Sequence, residues 1–263
     1  MAERGELTDI YNQWRQRAET HLDQLAEAFF APLLVQPPVD WSSADTRIVF
    51  VGQETMGWQW TQTQAEEWGY DAWKLAEVAS CKDFIDNPAS VGALLEGYRQ
   101  FDFASRQGVN RRSPFWRYFR DCKAAAEEQG GSTCILFSNV IRCAVDAEAG
   151  FTLWSLSEAD RQRYLAWQRG LLSAELNALQ PTLILFVTGP GYDPYLRDEF
   201  SELQFDVVAP FPNRTLAKLA SPSLPAPAYR TYHPGYLNRK VGFAPLQAAI
   251  ASSNSNSVYL KRD

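Results

Sequence analysis

Three short apolar segments constrain the fold of this chain more than any other feature of its sequence. They are "RIVFVG" at 47–52, "TCILFSNV" at 133–140 and "PTLILFVTG" at 181–189. Each run is too short for a typical core helix and is followed by glycine or polar residues, which is typical of a strand buried on both faces. We therefore expect these segments to form neighbouring strands inside a sheet.

Helical patterns lie between these strands. Apolar residues at helical spacing, or helix-start and helix-stop residues, mark the segments 6–36, 71–80, 90–104, 113–131 and 157–179. The segments 205–211 and 228–235 are further strand candidates. Strands that alternate with helices predict an α/β fold with a central, mainly parallel sheet covered by helices on both faces.

The length of 263 residues and the apolar fraction of 46% suit one hydrophobic core. We expect a single domain over 1–263, with an N-terminal helical extension at 1–40 and a frayed tail at 252–263. No apolar run approaches the length of a membrane span and the first residues are polar, so neither a membrane segment nor a secretory signal is expected.

The four cysteines form no C-x-x-C pair and lie far from the histidines in sequence. We expect no metal and no other cofactor, and we expect Cys134 and Cys143 to be small core residues. A reduced, cytoplasmic, monomeric protein is the simplest interpretation.

The charge of the chain is uneven. Its net charge of −6 argues against a protein that coats nucleic acid with its whole surface. The segment 106–123, however, carries five arginines and one lysine against a single aspartate. Any nucleic-acid-binding surface should therefore be a local basic patch.

Common nucleotide and hydrolase motifs are absent. "GPGYDP" at 189–194 has Pro194 where a dinucleotide-binding loop requires its third glycine. The sequence contains neither G-x-x-x-x-G-K-[ST] nor G-x-S-x-G. Dinucleotide, nucleoside triphosphate and serine hydrolase functions are therefore disfavoured.

Polar side chains follow the predicted strands. In parallel sheets, ligands bind beyond the carboxyl ends of the strands. The sequence therefore predicts one crevice at this edge of the sheet. The residues expected to line it are Gln53, Glu54, Asn139, Thr188 and His233.

Glu54, Asn139 and His233 each have a structural interpretation as well as a functional one. Glu54 either caps the turn after the first strand or orients a water and stabilises a developing cation. Asn139 either forms a turn or offers its paired donor and acceptor to the edge of a nucleobase. His233, one of two histidines, is either a satisfied core residue or the imidazole of the crevice, and the following Pro-Gly turn favours the second.

The joint order of these segments resembles the uracil-DNA glycosylase superfamily. Its first motif, G-Q-D-P-Y or a relative, is similar to "GQETM" at 52–56, and its second, H-P-S-P-L-S, is similar to "HPGYL" at 233–237. The resemblance runs from about residue 45 to about residue 250. It implies a three-layer α/β/α sandwich and a DNA N-glycosylase, which flips a pyrimidine or modified base out of DNA and hydrolyses its glycosidic bond.

The resemblance also implies roles for individual residues. Glu54 occupies the place of the water-positioning aspartate, His233 that of the histidine that stabilises negative charge on the base, and Asn139 that of the base-reading asparagine. The other base-binding candidates are Gln53, Met56 and Trp58. Packing is the more common role of the tryptophans in 57–73, and Trp58, the nearest to Glu54, is the candidate for stacking on the flipped base. The DNA-binding candidates are Arg111, Arg112, Arg239 and Lys240 for phosphates, with Tyr236 or Leu237 as the wedge that fills the gap in the duplex.

Departures from the family motifs leave the substrate open. Glutamate replaces aspartate, Gly235 replaces serine, and Met56 stands where uracil-specific members have a tyrosine that blocks bases substituted at C5. An antiviral glycosylase that acts on hypermodified phage DNA is one alternative. A catalytically silent nucleic-acid-binding protein with the same fold is another.

Overall fold

A computed structural model of the chain describes residues 2–55, 78, 80–101, 113–145 and 152–257. Met56, Trp58, Arg111 and Arg112 lie outside the described residues. The chain divides into two compact units. The first unit comprises 1–37, 54–102 and 139–178, and the second unit comprises 38–53, 103–138 and 179–263.

Six strands form one sheet in the order β2-β1-β3-β6-β5-β4. Their bounds are β1 Thr46–Glu54, β2 Thr133–Ile141, β3 Leu183–Phe186, β4 Gln204–Val207, β5 Leu216–Ala220 and β6 Ala228–Thr231. β3 pairs in parallel with β1 and with β6, whereas β5 is antiparallel to both β4 and β6. The predicted α/β class with a central, mainly parallel sheet is confirmed, and the order of strands and helices is consistent with a three-layer α/β/α sandwich.

The helices alternate with these strands along the chain. Their bounds are α1 Ala2–Gln16, α2 Ala18–His21, α3 Cys81–Asp86, α4 Ser90–Gln100, α5 Pro114–Glu127, α6 Glu158–Gln168, α7 Leu171–Leu179, α8 Asp193–Glu199, α9 Pro234–Lys240 and α10 Ala244–Ser257. Short 3-10 helices span Asp23–Ala28, Trp41–Ser43, Leu153–Ser155 and Pro190–Tyr192. Pro114 stands in the first turn of α5 and the Ser157 hydroxyl caps α6, as the sequence predicts.

In the second unit, the parallel strands bring their carboxyl ends to one edge of the sheet. Val51 pairs with Phe186, and Phe186 pairs with Arg230. The residues of β1 from Ile48 to Val51 and all of β3 are buried, so their backbone groups must be paired within the sheet. α10 packs against β3, β6 and α5, and α9 packs against α5. Gln53 near the end of β1, Thr188 after β3 and His233 after β6 consequently lie at this edge.

In the first unit, buried aromatic rings and one ion pair join the N-terminal residues to later helices. The Trp14 and Trp167 rings stack with centroids 4.1 Å apart. Tyr11 donates a hydrogen bond of 2.8 Å to Glu175, whose other carboxylate oxygen binds Arg142. These contacts pack α1 against later helices of the same unit.

Four sequence predictions need correction. Helical structure in the N-terminal segment ends at Ala28 and not near residue 36. The predicted helix 157–179 is two helices, because Gly170 takes a φ of +83° between them. α10 continues to Ser257, so half of the predicted frayed tail is helical. β5 went unpredicted because Lys218 and Ala220 point to solvent and interrupt its apolar pattern.

Gly170 and Gly92 provide a test of this helix assignment. We expect Gly170→Ala to lower the free energy of unfolding by about 1–2 kcal/mol, because a side chain disfavours a positive φ. Gly92 lies exposed within α4, where an added Cβ meets no atom within 4 Å. Gly92→Ala should therefore raise the free energy of unfolding by up to about 1 kcal/mol. Urea denaturation of both variants measures the difference, and equal effects of the same sign would contradict the assignment.

Candidate active site

Gln53 links two parallel strands at the carboxyl edge of the sheet. Its side-chain nitrogen Nε2 donates a 2.7 Å hydrogen bond to the backbone oxygen of Thr188. Beside it, Gly189 has a φ of +73°, and a Cβ built there would lie 3.5 Å from the Tyr232 ring. The amide nitrogen of Gln53 therefore bonds to the strand edge, and the positive φ of Gly189 disfavours any other residue at this position.

His233 caps the helix that follows the sixth strand. Its Nδ1 accepts a 3.1 Å hydrogen bond from the backbone N–H of Gly235, the second residue of α9. An imidazole nitrogen that accepts a hydrogen bond carries no proton, so the ring is neutral and its hydrogen is on Nε2. Burial lowers the pKa of His233 below its ordinary value, which also favours the neutral form.

An aromatic ring covers one face of the His233 imidazole. The Phe115 ring of α5 stacks on the imidazole with centroids 5.8 Å apart and an interplanar angle of 28°. Phe115 in turn contacts Phe50, Trp116 and Phe137 edge-on. This packing restricts rotation of the imidazole and holds Nε2–H in one direction. Within the described part of the chain, Nε2 has no hydrogen-bond partner.

In the first unit, a backbone amide holds the carboxylate of Glu54. The Oε2 oxygen of Glu54 accepts a 3.2 Å hydrogen bond from the N–H of Leu153. Leu153 begins a 3-10 helix whose N-cap is Thr152, and the Thr152 hydroxyl accepts a 3.0 Å hydrogen bond from Trp154. The half-buried carboxylate is therefore positioned by the 152–155 turn, defined as Thr152 and the 3-10 helix Leu153–Ser155.

Thr55, the residue after Glu54, determines how the Asn139 amide is oriented. The buried Thr55 hydroxyl donates to the Ile141 carbonyl at 3.2 Å, so its oxygen must accept from Asn139. The nitrogen Nδ2 of Asn139 lies 3.1 Å from it and is the donor. One N–H and the oxygen Oδ1 of Asn139 have no other partner among the described residues. Asn139 thus retains a donor and an acceptor side by side.

The surface of α9 separates the two wedge candidates. Leu237 is fully buried and packs in the core, whereas a wedge residue must protrude. Tyr236 is 41% exposed and its ring lies 4.3 Å from that of Tyr232. Arg239 and Lys240 are exposed in the last turn of the helix. Together with Asn238, these three residues form the exposed part of α9.

The described residues contain no group of three or more His, Cys, Asp or Glu side chains that could hold a metal ion. All four cysteines are buried and free, which confirms the core positions predicted for Cys134 and Cys143. No helix in the described ranges is long and apolar enough to cross a membrane.

No family model matches the chain, and no curated protein is significantly similar to it.

The structure places the predicted residues in two groups. Gln53, Thr188 and His233 lie at one sheet edge in the second unit, and Glu54 and Asn139 belong to the first unit. Sequence reasoning missed Thr55 and Phe115, which orient Asn139 and His233. A hydroxyl beside the carboxylate was a visible signal for Thr55, whereas nothing in the sequence linked Phe115 to His233.

The pH dependence of His233 tests its neutral, capping state. The unfolded chain has the ordinary histidine pKa and the folded chain a lower one, so the unfolded state binds more protons between these two values. The free energy of unfolding should therefore fall as the pH drops below about 6.5 through the folded pKa. Urea denaturation across this range and NMR titration of the His233 ring measure the effect.

His233→Asn is the matched control, because asparagine also accepts the N–H of a following residue at an N-cap but does not titrate. We expect this variant to lose the part of the pH dependence that His233 contributes. A His233 ring that titrates at or above the ordinary value would contradict the assignment.

Proposed function

We propose that this chain is a DNA glycosylase that hydrolyses the N-glycosidic bond of a pyrimidine nucleotide flipped out of DNA. The observation that carries the proposal is the state of His233: a neutral imidazole, fixed by the N–H of Gly235 and the Phe115 ring, with Nε2–H as its free donor. Such a fixed donor suits a site in which negative charge develops during the reaction.

The proposed reaction places opposite charges on the two products of bond cleavage. The bond between C1′ and the base nitrogen breaks with its electron pair on the base, which leaves positive character on the sugar. His233 donates a hydrogen bond to the base, and the Glu54 carboxylate stabilises the sugar and orients a water. The water oxygen bonds to C1′, its proton leaves by way of the carboxylate, and the base takes up a proton on release.

The side-chain amide of Asn139 supports a preference for uracil-type bases over cytosine. Because Thr55 fixes one N–H of its amide, the amide offers a remaining donor and an acceptor in a defined order. This pair complements a carbonyl beside an imino N–H, as in uracil and its C5-substituted derivatives. Cytosine presents an amino group beside an unprotonated ring nitrogen, which is the opposite order. A uracil-type base is therefore the proposed substrate.

The exposed part of α9 suits contact with the DNA backbone. Arg239 and Lys240 add two positive charges close in sequence to His233, and Arg239 is partly fixed by a 3.0 Å bond from Nε to the Gly235 oxygen. Arg117 of α5 is exposed and donates a hydrogen bond to the side chain of Asn238 in α9. Tyr236 then becomes the candidate that fills the space vacated by the flipped nucleotide. These side chains form a small basic patch, which is compatible with binding DNA although the whole chain has a net charge of −6.

Base release from labelled oligonucleotides tests the activity. Substrates carry a single uracil, a C5-substituted uracil, cytosine or a C5-modified cytosine, and alkali converts abasic sites to strand breaks. We expect release of uracil-type bases and none of cytosine. His233→Ala should lower the single-turnover rate by about 10²–10³-fold, the effect of removing one such donor. Glu54→Gln should lower it by at least about 10²-fold, because the carboxylate charge is lost.

Two controls keep the test decisive. Thr55→Ser retains the hydroxyl that orients Asn139 and should keep the preference for uracil, whereas Thr55→Val should weaken it. The absence of base release from every oligonucleotide would overturn the proposal, as would a fully active His233→Ala variant. DNA binding without any release would instead support a silent nucleic-acid-binding protein.

The salt dependence of DNA binding tests the α9 surface. If Arg239 and Lys240 each contact one phosphate, the doubly substituted Arg239→Gln, Lys240→Gln variant should lose about 2 units of the slope of log K against log salt concentration. Lys218→Gln on β5 removes an exposed charge from another element and should leave the slope unchanged. Fluorescence anisotropy over a range of salt concentrations gives both slopes, and equal slopes for the two variants would exclude this surface.

A further inference from the structure

Trp154 is an exposed aromatic residue beside the candidate catalytic carboxylate. It is 63% exposed, whereas large apolar side chains are usually covered. The Arg161 guanidinium lies 4.7 Å from the centre of its ring, and the Arg161 side chain is itself only 15% exposed. One face of the indole is therefore backed by a fixed guanidinium, and much of the remaining ring surface is open to solvent.

The same turn that carries Trp154 also positions Glu54. Leu153 donates its N–H to the Glu54 carboxylate, and Trp154 is the next residue. The Trp154 N–H is bound by the Thr152 hydroxyl at 3.0 Å, which holds the backbone of the turn. A molecule that stacks on Trp154 would consequently lie against the element that holds the carboxylate.

The charged side chains of the first two turns of α6, which follow Trp154 in sequence, pair with one another. Arg161 pairs with Glu158, and Arg163 lies 3.7 Å from Asp160, which also accepts a hydrogen bond from Ser157. These four charges sum to zero, so they select neither a phosphate group nor a basic peptide. A flat, uncharged ring that can stack on the indole is the chemistry that this surface fits best.

We propose that Trp154, backed by Arg161, stacks on an unpaired nucleobase next to the target nucleotide, and that the protein therefore prefers single-stranded to duplex DNA as its substrate. This inference rests on the proposed glycosylase function. Bases in a duplex are stacked inside the helix and paired, whereas those of a single strand present their faces. Stacking on a protein aromatic ring is tolerant of sequence, so the contact sets strand preference and not base identity.

Binding and base release by three variants test the proposal. The binding probe is a short fluorescein-labelled oligothymidylate, and the activity substrates are a uracil-containing single strand and the same strand in a duplex. We expect Trp154→Ala to weaken oligothymidylate binding by roughly 5- to 150-fold, the loss of one stacked base. The value of kcat/KM should fall by a similar factor on the single strand and by much less on the duplex. Trp154→Phe should restore most of the binding.

Val207→Ala is the matched control, because Val207 is another exposed apolar residue, at 69%, on β4 of the second unit. It should bind and act like the unmodified protein. Unchanged oligothymidylate binding by Trp154→Ala would overturn the inference, as would equal losses of activity on single-stranded and duplex substrates.

The experiment separates failure of this inference from failure of the proposed function. If the unmodified protein releases uracil and Trp154→Ala behaves identically, the stacking contact is wrong while the glycosylase function stands. If it releases no base but binding to oligothymidylate depends on Trp154, the contact is supported while the catalytic function is overturned.

Discussion

The pairing of buried parallel strands is the constraint on which the sheet edge and its side chains depend. β3 is buried along its whole length, so each of its N–H and C=O groups needs a partner on β1 or β6. That pairing sets the register, with Val51 opposite Phe186 and Phe186 opposite Arg230. It continues past the strands through bonds from Val187 N–H to Val51 and from Gly189 N–H to Thr231. The residues after each strand are thereby held at one edge, although none of them is required for the pairing.

Buried arginines hold the segments that carry the candidate site residues. In the second unit, Arg230 lies three residues before His233 and donates from Nε and Nη2 to the two carboxylate oxygens of Asp193. Its Nη1 also donates to two backbone carbonyls. Burial raises the pKa of the Asp193 carboxyl, and the neighbouring Arg230 opposes that rise. In the first unit, Arg142 pairs with Glu175 three residues after Asn139. Removal of one partner from such a pair leaves an uncompensated charge in the interior, which is costly. Both pairs therefore act as anchors beside residues that must keep their direction.

Two of the candidate groups owe their chemical state to a neighbour close in sequence. His233 is neutral because the Gly235 N–H occupies Nδ1, and Pro234 begins the helix whose first turn supplies that N–H. Asn139 presents a defined edge because Thr55 donates to Ile141 and must accept from the amide. In each case a short hydrogen-bond chain converts an ambiguous side chain into one with a single arrangement of donors and acceptors. Such preorganisation is what selective binding of a base, and stabilisation of charge on it, demand.

Much of the fold could be predicted from local pattern. β1, β2 and β3 appear as apolar runs because a strand buried on both faces cannot contain many polar residues. β4 and β5 are partly exposed, so β5 carries no such run and was missed. The break at Gly170 was missed because a helical apolar pattern continues on both sides of it and only the positive φ reveals the turn. The burial of Leu237 could not be predicted, because an apolar residue after a motif looks the same in sequence whether it packs inward or protrudes.

The amino-acid sequence alone determined the α/β class, the parallel core strands and the positions of the polar residues that follow them, since each depends on hydrophobicity and turn chemistry within a few residues. Only the tertiary structure decided which of those residues are free to act. Phe115 stacks on His233, and Leu153 binds the Glu54 carboxylate, although the residues of each pair lie about a hundred positions apart in the chain. The exposure of Trp154, next to Leu153, is likewise a result of packing that no local pattern encodes.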